Sequence, residues 1–514
     1  MRGSHPIAMT RNLARLNEEA FERRGDYPSL FYEGRWHGSA ELLERARRLG
    51  GGLRELGIAP GERVVVCMAN CPEVTVSYHA LWRAGAVVTP AMFLLSVEDL
   101  RHVIADSGAC AVITTPEFLD KVRNAVAPLH HVRHVITTGG AEGGVLALGD
   151  LEESDPAPIV PRGDDDLAVL LYTGGTTGRA KGVMISNASL HFTGQAVQEA
   201  AHVEGMTRAL IPLPLAHAYG ILMTISGLHA PDRPVTVLMR WFDPGGFLTL
   251  VQEHGVHTAP LVPSMIQLLL AQPLEDYDLT SLRYLGSGAA PLASELVDEL
   301  RRRAPWMSIR QGYGLSETAA LVSTNPAGRE KPGSVGVPIP GAEVRIVDDL
   351  GRSLASGEPG EVCVRSPAVM QGYWREGGRD PQLTAEAIRD GWLHTGDIGY
   401  LDDEGYLFIV DRKKDLIIRG GFNVYPRDVE DALLEHPAVA AAGVVGRPDE
   451  RRGEEVVAFV SLTEPGTVSE EELVAWARER IGGYKYPREV HILDAIPLTA
   501  VGKLDRKALR RRLL

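Results

Sequence analysis

Cysteine is scarce, with four residues in 514, at positions 67, 71, 110 and 363. None forms a CxxC pair or lies beside histidine at a zinc-like spacing, so a disulfide scaffold and a structural zinc site are excluded and buried, reduced thiols are expected. No apolar run reaches the ~18 to 20 residues that cross a bilayer, and the start lacks the charged-then-apolar pattern of a secretory leader. A soluble cytoplasmic protein is the expectation. The opening MRGSH reads as an expression-vector start, so residues 1–9 are set aside, and the triplet Asn187, Ala188, Ser189 is a chance glycosylation match without a secretory route. Positive charge is in deficit: 53 Lys+Arg against 67 Asp+Glu leave −14. That balance argues against a nucleic-acid coat or a membrane-surface binder. Any phosphate site must then be local, built from backbone amides and a few placed cations. Repeats and low-complexity tracts are also missing.

What is present is an ordinary globular composition, 44% hydrophobic and 23% charged, on a length that accommodates about three domain-sized units. Apolar runs rich in β-branched residues alternate with helical patterns: RVVVCMA, then CPEVTVSYHALWRAG, AVVTP, VEDLRHVIADSG and ACAVITT, continuing through LAVLLY and VTVLM. Such alternation indicates βα units and largely parallel sheets buried on both faces. From 332 to 411 short strands (AEVRIVD, GEVCVRS, GYLFIVD) are punctuated by Gly and Pro, which predicts a β-rich subdomain. Past the charged DRKKD segment comes a terminal unit of about 100 residues. There Pro426 opens a helix, AVAAAGVVG and EVVAFVSL are strands, and Ser469 with Glu472 makes a capping box before EELVAWARERI. The expected architecture is α/β: a large N-terminal domain over 10–411 with βα-type sheets and the β-rich subdomain, then a small mobile α+β domain over 412–514.

The strand LAVLLY runs into YTGGTTGRAKG (172–182), where four glycines, three threonines and one lysine stand in eleven residues. Outward-facing amides, hydroxyl donors and Lys181 make a polyphosphate cradle. The Walker pattern fails because Lys181 follows Ala180 and precedes Gly182. This loop resembles the signature of the adenylate-forming superfamily, which contains acyl-CoA synthetases, nonribosomal-peptide adenylation domains and firefly-type luciferases. Further motifs of that superfamily follow in order along nearly the whole chain.

The resemblance implies roles residue by residue. Thr173, Gly174, Gly175, Thr176, Thr177, Gly178 and Lys181 would hold the β- and γ-phosphates. In PLPLAHAYG, His217 would lie between the acyl pocket and the thiol path, with Tyr219 beside it; Ala216 departs from the phenylalanine common in fatty-acyl members. LGSGAAPL fails the dinucleotide fingerprint, since Pro291 holds its last position. It resembles the adenine-side loop, with Gly288, Ala289 and Ala290 admitting base and acyl group, and it also reads as a strand-to-helix turn with an N-terminal proline. QGYGLSET supplies Gln311, Gly312, Tyr313 for adenine stacking, Gly314, Glu317 as a Mg²⁺ carboxylate and Thr318 as an α-phosphate donor; Ser316 is not in a nucleophile elbow. Asp397 would take the ribose hydroxyls, with Ile409 and Arg412 completing the nucleotide site. Lys414 occupies the hinge position, Gly420, Gly421 and Phe422 the thiol side, and Lys485 is a candidate contact for a CoA phosphate. PLTAVGKLDRK ends the series with Lys503 as catalytic lysine. Gly286, Gly314, His217 and Tyr219 would form the acyl pocket.

The implied reaction joins a carboxylic acid to ATP with release of pyrophosphate, then passes the acyl group from acyl-AMP to the thiol of coenzyme A. Segments such as IVDRKKDLIIRGGFNVYPRDVEDAL are most like bacterial medium- and long-chain fatty-acyl-CoA ligases, with 4-coumarate-type ligases close behind. With no cation placed for a second carboxylate, a largely apolar fatty or aryl monocarboxylate is expected; Ala216 leaves a specialised natural-product acid open. The rival readings are a phosphotransferase or NTPase, a carrier-protein-loading adenylating enzyme, a luciferase-like oxygenase and a non-catalytic binding protein; a homodimer is also open.

Overall fold

The fold is that of a computed structural model, in which residues 11–173, 179–499 and 504–513 are described. The chain forms two compact units, Met1–Glu343 with Val364–Leu393, and Val344–Cys363 with His394–Leu514.

The larger unit is built on two nine-stranded sheets. In one, Leu167–Thr173, Val87–Pro90, Arg63–Cys67, Ala111–Thr114 and His134–Thr137 run parallel in that order. Val64 to Cys67 and all of Ala111–Thr114 are buried, as strands covered by helices on both faces require. The helices between them are those the apolar periodicity predicts, Pro72–Arg83 and Val97–Ser107, the second opened by Ser96, whose hydroxyl accepts the Asp99 N–H. The other sheet runs parallel from Ser308–Tyr313 through Tyr284–Ser287, Thr258–Leu261, Arg208–Ile211 and Val235–Leu238 to Pro28–Tyr32.

Both sheets turn antiparallel at their margins. Leu167–Thr173 pairs antiparallel with Lys181–Ser186, which pairs antiparallel with Gly372–Arg375. A connection as short as 174–180 cannot make the crossover that a parallel pair needs, so the strands on either side of it run antiparallel.

The smaller unit carries the antiparallel pair Trp392–Leu401 and Leu407–Arg412, then a five-stranded sheet in which Gly453–Leu462 lies between Val439–Asp449, Ile417–Arg419 and the parallel Glu489–Leu493. Helices Pro426–Leu434 and Glu470–Arg480 cover it, closing a core of Val424, Val429, Leu433, Val444, Val456 and Leu473. The Ser469–Glu472 capping box forms as predicted. All four cysteines are buried free thiols. Among the described residues no helix is long and apolar enough to cross a membrane.

Candidate functional site

Thr173 and Lys181 stand opposite each other where the hairpin closes. Gly174, Gly175, Thr176, Thr177 and Gly178 lie outside the described residues. The roots of the loop are braced from the helix Val97–Ser107: the Tyr172 hydroxyl donates to Asp106 Oδ2 at 2.6 Å, and His102 Nε2 lies 2.7 Å from the Ala180 carbonyl oxygen. Burial lowers the pKa of Lys181, against the pull of Glu317, Glu386 and Asp380. Its Nζ sits 3.5 Å from the centroid of the Tyr373 ring, and the Tyr373 hydroxyl donates to Glu317 Oε1 at 2.8 Å. Tyr373 belongs to none of the motifs read from the sequence. Only the register of Gly372–Arg375 against Lys181–Ser186 brings it here.

Glu317 and Thr318 occupy a short 3₁₀ turn, Ser316–Thr318, after the strand Ser308–Tyr313. The Thr318 side chain is fully buried; its Oγ1 accepts from Leu315 N–H and donates to the Leu315 carbonyl, both at 3.1 Å. Ala319 and Ala320 then adopt left-handed φ of 47° and 88°, a strained geometry for L-residues that concentrates at functional sites. The bend folds the chain back so that a Cβ on Gly314 would strike the Ala320 carbonyl. Gln311, Gly312 and Tyr313 are half-buried at the end of the strand, with Gly312 and Tyr313 paired to Thr324 and Ser323.

Beside them, Tyr284–Ser287 runs into Gly288, Ala289 and Ala290, and Ala289 is left-handed with φ 68°. Pro291 does not open the following helix, which spans Ser294–Arg303 with Ala293 as its cap. The loop is a strand-to-helix connection, as one reading held, but its proline lies outside the first turn. A Cβ at Gly286 would stand 2.9 Å from the Tyr219 hydroxyl oxygen, and one at Gly288 3.6 Å from both Tyr219 Cε1 and the Gly312 carbonyl. Tyr219 is on the helix Ala218–His229, capped by His217, whose Nδ1 accepts the Tyr219 N–H at 3.2 Å. Nδ1 is thus the acceptor and Nε2 carries the proton in the neutral ring.

In the smaller unit, Asp397 pairs directly with Arg412 across adjacent antiparallel strands, Oδ1 to Nε 3.5 Å, and Asp397 is 6% exposed. Ile409 lies opposite Gly399, and its carbonyl accepts from Arg427 at 3.0 Å. The DRKKD run is not a solvated stretch. Asp411 accepts the N–H groups of Arg412 and Arg427, Lys413 pairs with Asp349 at 2.9 Å and Glu361 at 3.3 Å, and Asp415 takes Arg510 at 2.9 Å. Lys414 is exposed in the turn between these held neighbours. Gly420 and Gly421, with φ of 60° and 84°, form the two-residue turn between Ile417–Arg419 and Phe422–Val424, where Arg419 pairs with Phe422. Both positions have open space where a Cβ would be, so the left-handed turn is what requires glycine. Phe422 is 59% exposed beside Tyr484. Lys485 Nζ is held by Asp428 Oδ2 at 2.6 Å, which raises its pKa. Lys503 lies outside the described residues. Its flanks converge, since Leu498 bridges Leu504 and Asp505 N–H donates to the Pro497 carbonyl at 2.9 Å.

Among the described residues no cluster of three His, Cys, Asp or Glu could hold a metal ion. A lone Glu317 suits Mg²⁺, which commonly takes one or two protein carboxylates and completes its shell with phosphate and water.

Two family models match: the AMP-binding enzyme over residues 17–374 and the AMP-binding enzyme C-terminal domain over 428–503. The chain is 39% identical to a feruloyl-CoA synthase of Amycolatopsis sp, over 99% of this chain and 98% of that one. It is 35% identical to a long-chain-fatty-acid–CoA ligase of Bacillus subtilis, over 92% and 89%. A solved anthranilate CoA ligase with anthranoyl-AMP superposes with a TM-score of 0.90 at 25% identity, over 98% of each chain. The chain belongs to the AMP-binding enzyme family, as an AMP-forming acyl-CoA synthetase that activates a carboxylic acid with ATP and passes the acyl group to the thiol of coenzyme A.

Proposed function

We propose that the acid is a largely apolar monocarboxylate, aryl or fatty, and that it lies along the helix Ala218–His229 and the strand Tyr284–Ser287. The observation that carries this reading is the likeness to relatives named for feruloyl and long-chain fatty acyl groups, both apolar monocarboxylates. Met223 is one turn past Tyr219 and Tyr284 two residues before Gly286, so each pair shares a face. A cavity of about 320 Å³ shares Met223 and Tyr284 with these faces and is lined by Leu215, Ile211, Leu228 and Leu238 together with Arg24, His79 and Asp232; His217, Tyr219, Gly286 and Gly314 do not line it. Arg310, stacked on the Tyr284 ring, is already paired with Glu330 at 3.3 Å and offers no free charge to a second carboxylate. His217 and Gly314 complete the acyl site.

In this reading Tyr313 stacks on adenine beside Gln311, Gly312, Gly288, Ala289 and Ala290, Asp397 receives the ribose hydroxyls with Arg412 and Ile409 adjacent, and Lys181 faces phosphate with Thr173 and residues 174–178. Mg²⁺ at Glu317 would supply positive charge against two anions that otherwise repel. Lys503 neutralises the incoming carboxylate and α-phosphate, and Thr318 shapes the turn that aims Glu317. After pyrophosphate leaves, residues 412–514 turn about Lys414, withdraw Lys503 and bring the Gly420-Gly421 hairpin with Phe422 against the pantetheine arm. Lys485, engaged by Asp428, would have to exchange that partner to meet a CoA phosphate.

The test is pyrophosphate release across hydroxycinnamates, benzoates, fatty acids of increasing length and malonate, with free CoA or a phosphopantetheinyl carrier protein as acceptor. Aryl or fatty monocarboxylates with free CoA should lead by at least tenfold. Preference for malonate would overturn the apolar acid, and transfer to the carrier protein alone would overturn the acceptor.

A further inference from the structure

Tyr373 stands between two groups of opposite charge on the nucleotide side of the larger unit. Its ring face carries Lys181 Nζ at 3.5 Å, and its hydroxyl donates to Glu317 Oε1 at 2.8 Å. The tyrosine is only 5% exposed and fixed on both flanks. Its strand is hydrogen-bonded to the strand that Lys181 begins, with Tyr373 opposite Val183, and its N–H donates to Thr384 Oγ1 at 3.0 Å. Three residues earlier, Met370 N–H donates to the Glu317 carbonyl at 2.8 Å. Lys181 feels Glu317, Glu386 and Asp380, yet among the described ion pairs it enters none; the aromatic face is what it touches.

A direct Lys181–Glu317 ion pair in this half-buried setting would be strong and would neutralise both groups. A ring face holds an ammonium more weakly and leaves its charge intact. Donation from the phenol to a carboxylate further enriches that face, because linked polar groups polarise one another.

We propose that Tyr373 is a positioning residue for adenylation, an aromatic spacer that keeps Lys181 and Glu317 apart so that one stays available to nucleotide phosphate and the other to a divalent cation. The inference rests on the phosphate role of Lys181 and the metal role of Glu317.

Calorimetric titration of the full chain with a non-hydrolysable ATP analogue, with and without Mn²⁺, tests it. Tyr373→Phe keeps the spacer ring but loses the hydroxyl bond that aims the Glu317 carboxylate, and should weaken Mn²⁺-dependent binding at most about tenfold while changing metal-free binding little. Tyr373→Leu removes the spacer, and should weaken both, the metal-dependent binding by roughly a hundredfold. Adding Glu317→Gln to Tyr373→Leu should restore much of the metal-free affinity, because Lys181 then has no anion there to collapse onto. A purely structural tyrosine would show no such rescue. Absence of rescue, or Tyr373→Leu binding as the unmodified chain does, overturns the spacer. If Tyr373→Leu fails to fold, Tyr373→Phe decides instead: retained metal-free binding supports the ring as spacer, and loss of metal-free binding in that variant, which keeps the ring, overturns it. Glu317→Gln alone separates the premises: unchanged Mn²⁺ dependence there removes the metal role of Glu317, while the metal-free rescue still decides the spacer.

Discussion

Glu317 and Thr318 are neighbours with different surroundings. The Glu317 carboxylate reaches Tyr373, whereas the Thr318 hydroxyl is spent within its own turn on Leu315. The family resemblance proposes both as phosphate or metal groups; a hydroxyl's partner depends on a turn whose two left-handed alanines no spacing rule anticipates. Lys485 is similar, a lone lysine in the sequence that Asp428 holds in the structure. For Lys503, proposed as the catalytic lysine, the two half-reactions provide the test. Lys503→Ala should lower acyl-AMP formation, read as ATP–pyrophosphate exchange, by about 10² to 10³. It should spare thiol transfer from supplied acyl-AMP, and equal loss of both steps would contradict its assignment.

At the scale of elements, short connections hold most of the proposed site residues. The proposed phosphate loop lies between two antiparallel strands, the proposed adenine-side loop joins a strand to a helix, and Gly420-Gly421 closes a hairpin. The elements themselves were legible from alternation and periodicity, the capping box at Ser469 included. Less legible was what each loop does with its special residues. Pro291 stands outside the helix it was expected to start, because the left-handed Ala289 and its neighbours lengthen the connection. The resemblance places Gly420 and Gly421 on the thiol side; their left-handed dihedral angles supply a sufficient reason for glycine on their own. Replacing both by alanine should cost about 2 to 4 kcal/mol of local stability, since each left-handed L-residue costs about 1 to 2 kcal/mol. Hydrogen exchange at Ile417–Arg419 and Phe422–Val424 would report that loss. Stopped-flow assays should find thiol transfer slowed more than adenylation; equal slowing would indicate a general loss of fold.

For the whole molecule, two half-buried histidines of the larger unit make stability pH-dependent. Burial pushes His79 down to about 4, and burial aided by His191, Arg23 and Arg24 pushes His229 down to about 4. Each is depressed in the folded state, so the unfolded chain binds more protons between pH 6.5 and 4; their contribution is complete above 6.5 and is lost as pH falls through that window. The expected loss is on the order of 1 kcal/mol per pH unit for each ring. Urea unfolding at pH 7.5, 6.5 and 5.5 would measure it, and His79→Gln should flatten the profile by about half. An unchanged slope would show that His79 does not couple to unfolding. The sequence by itself determined the α/β class, the chain order of the motifs and the identity of nearly every candidate group. The class follows from local periodicity and turn chemistry, encoded over a few neighbouring positions, and the candidate groups from the motifs' resemblance to the adenylate-forming superfamily. Only the tertiary structure decided which distant side chains meet: Tyr373 with Lys181 and Glu317, Asp106 and His102 with the roots of the phosphate loop, and Asp397 with Arg412. Strand register and sheet order set those encounters, and they arise from packing across the whole core, so no short window of sequence contains them.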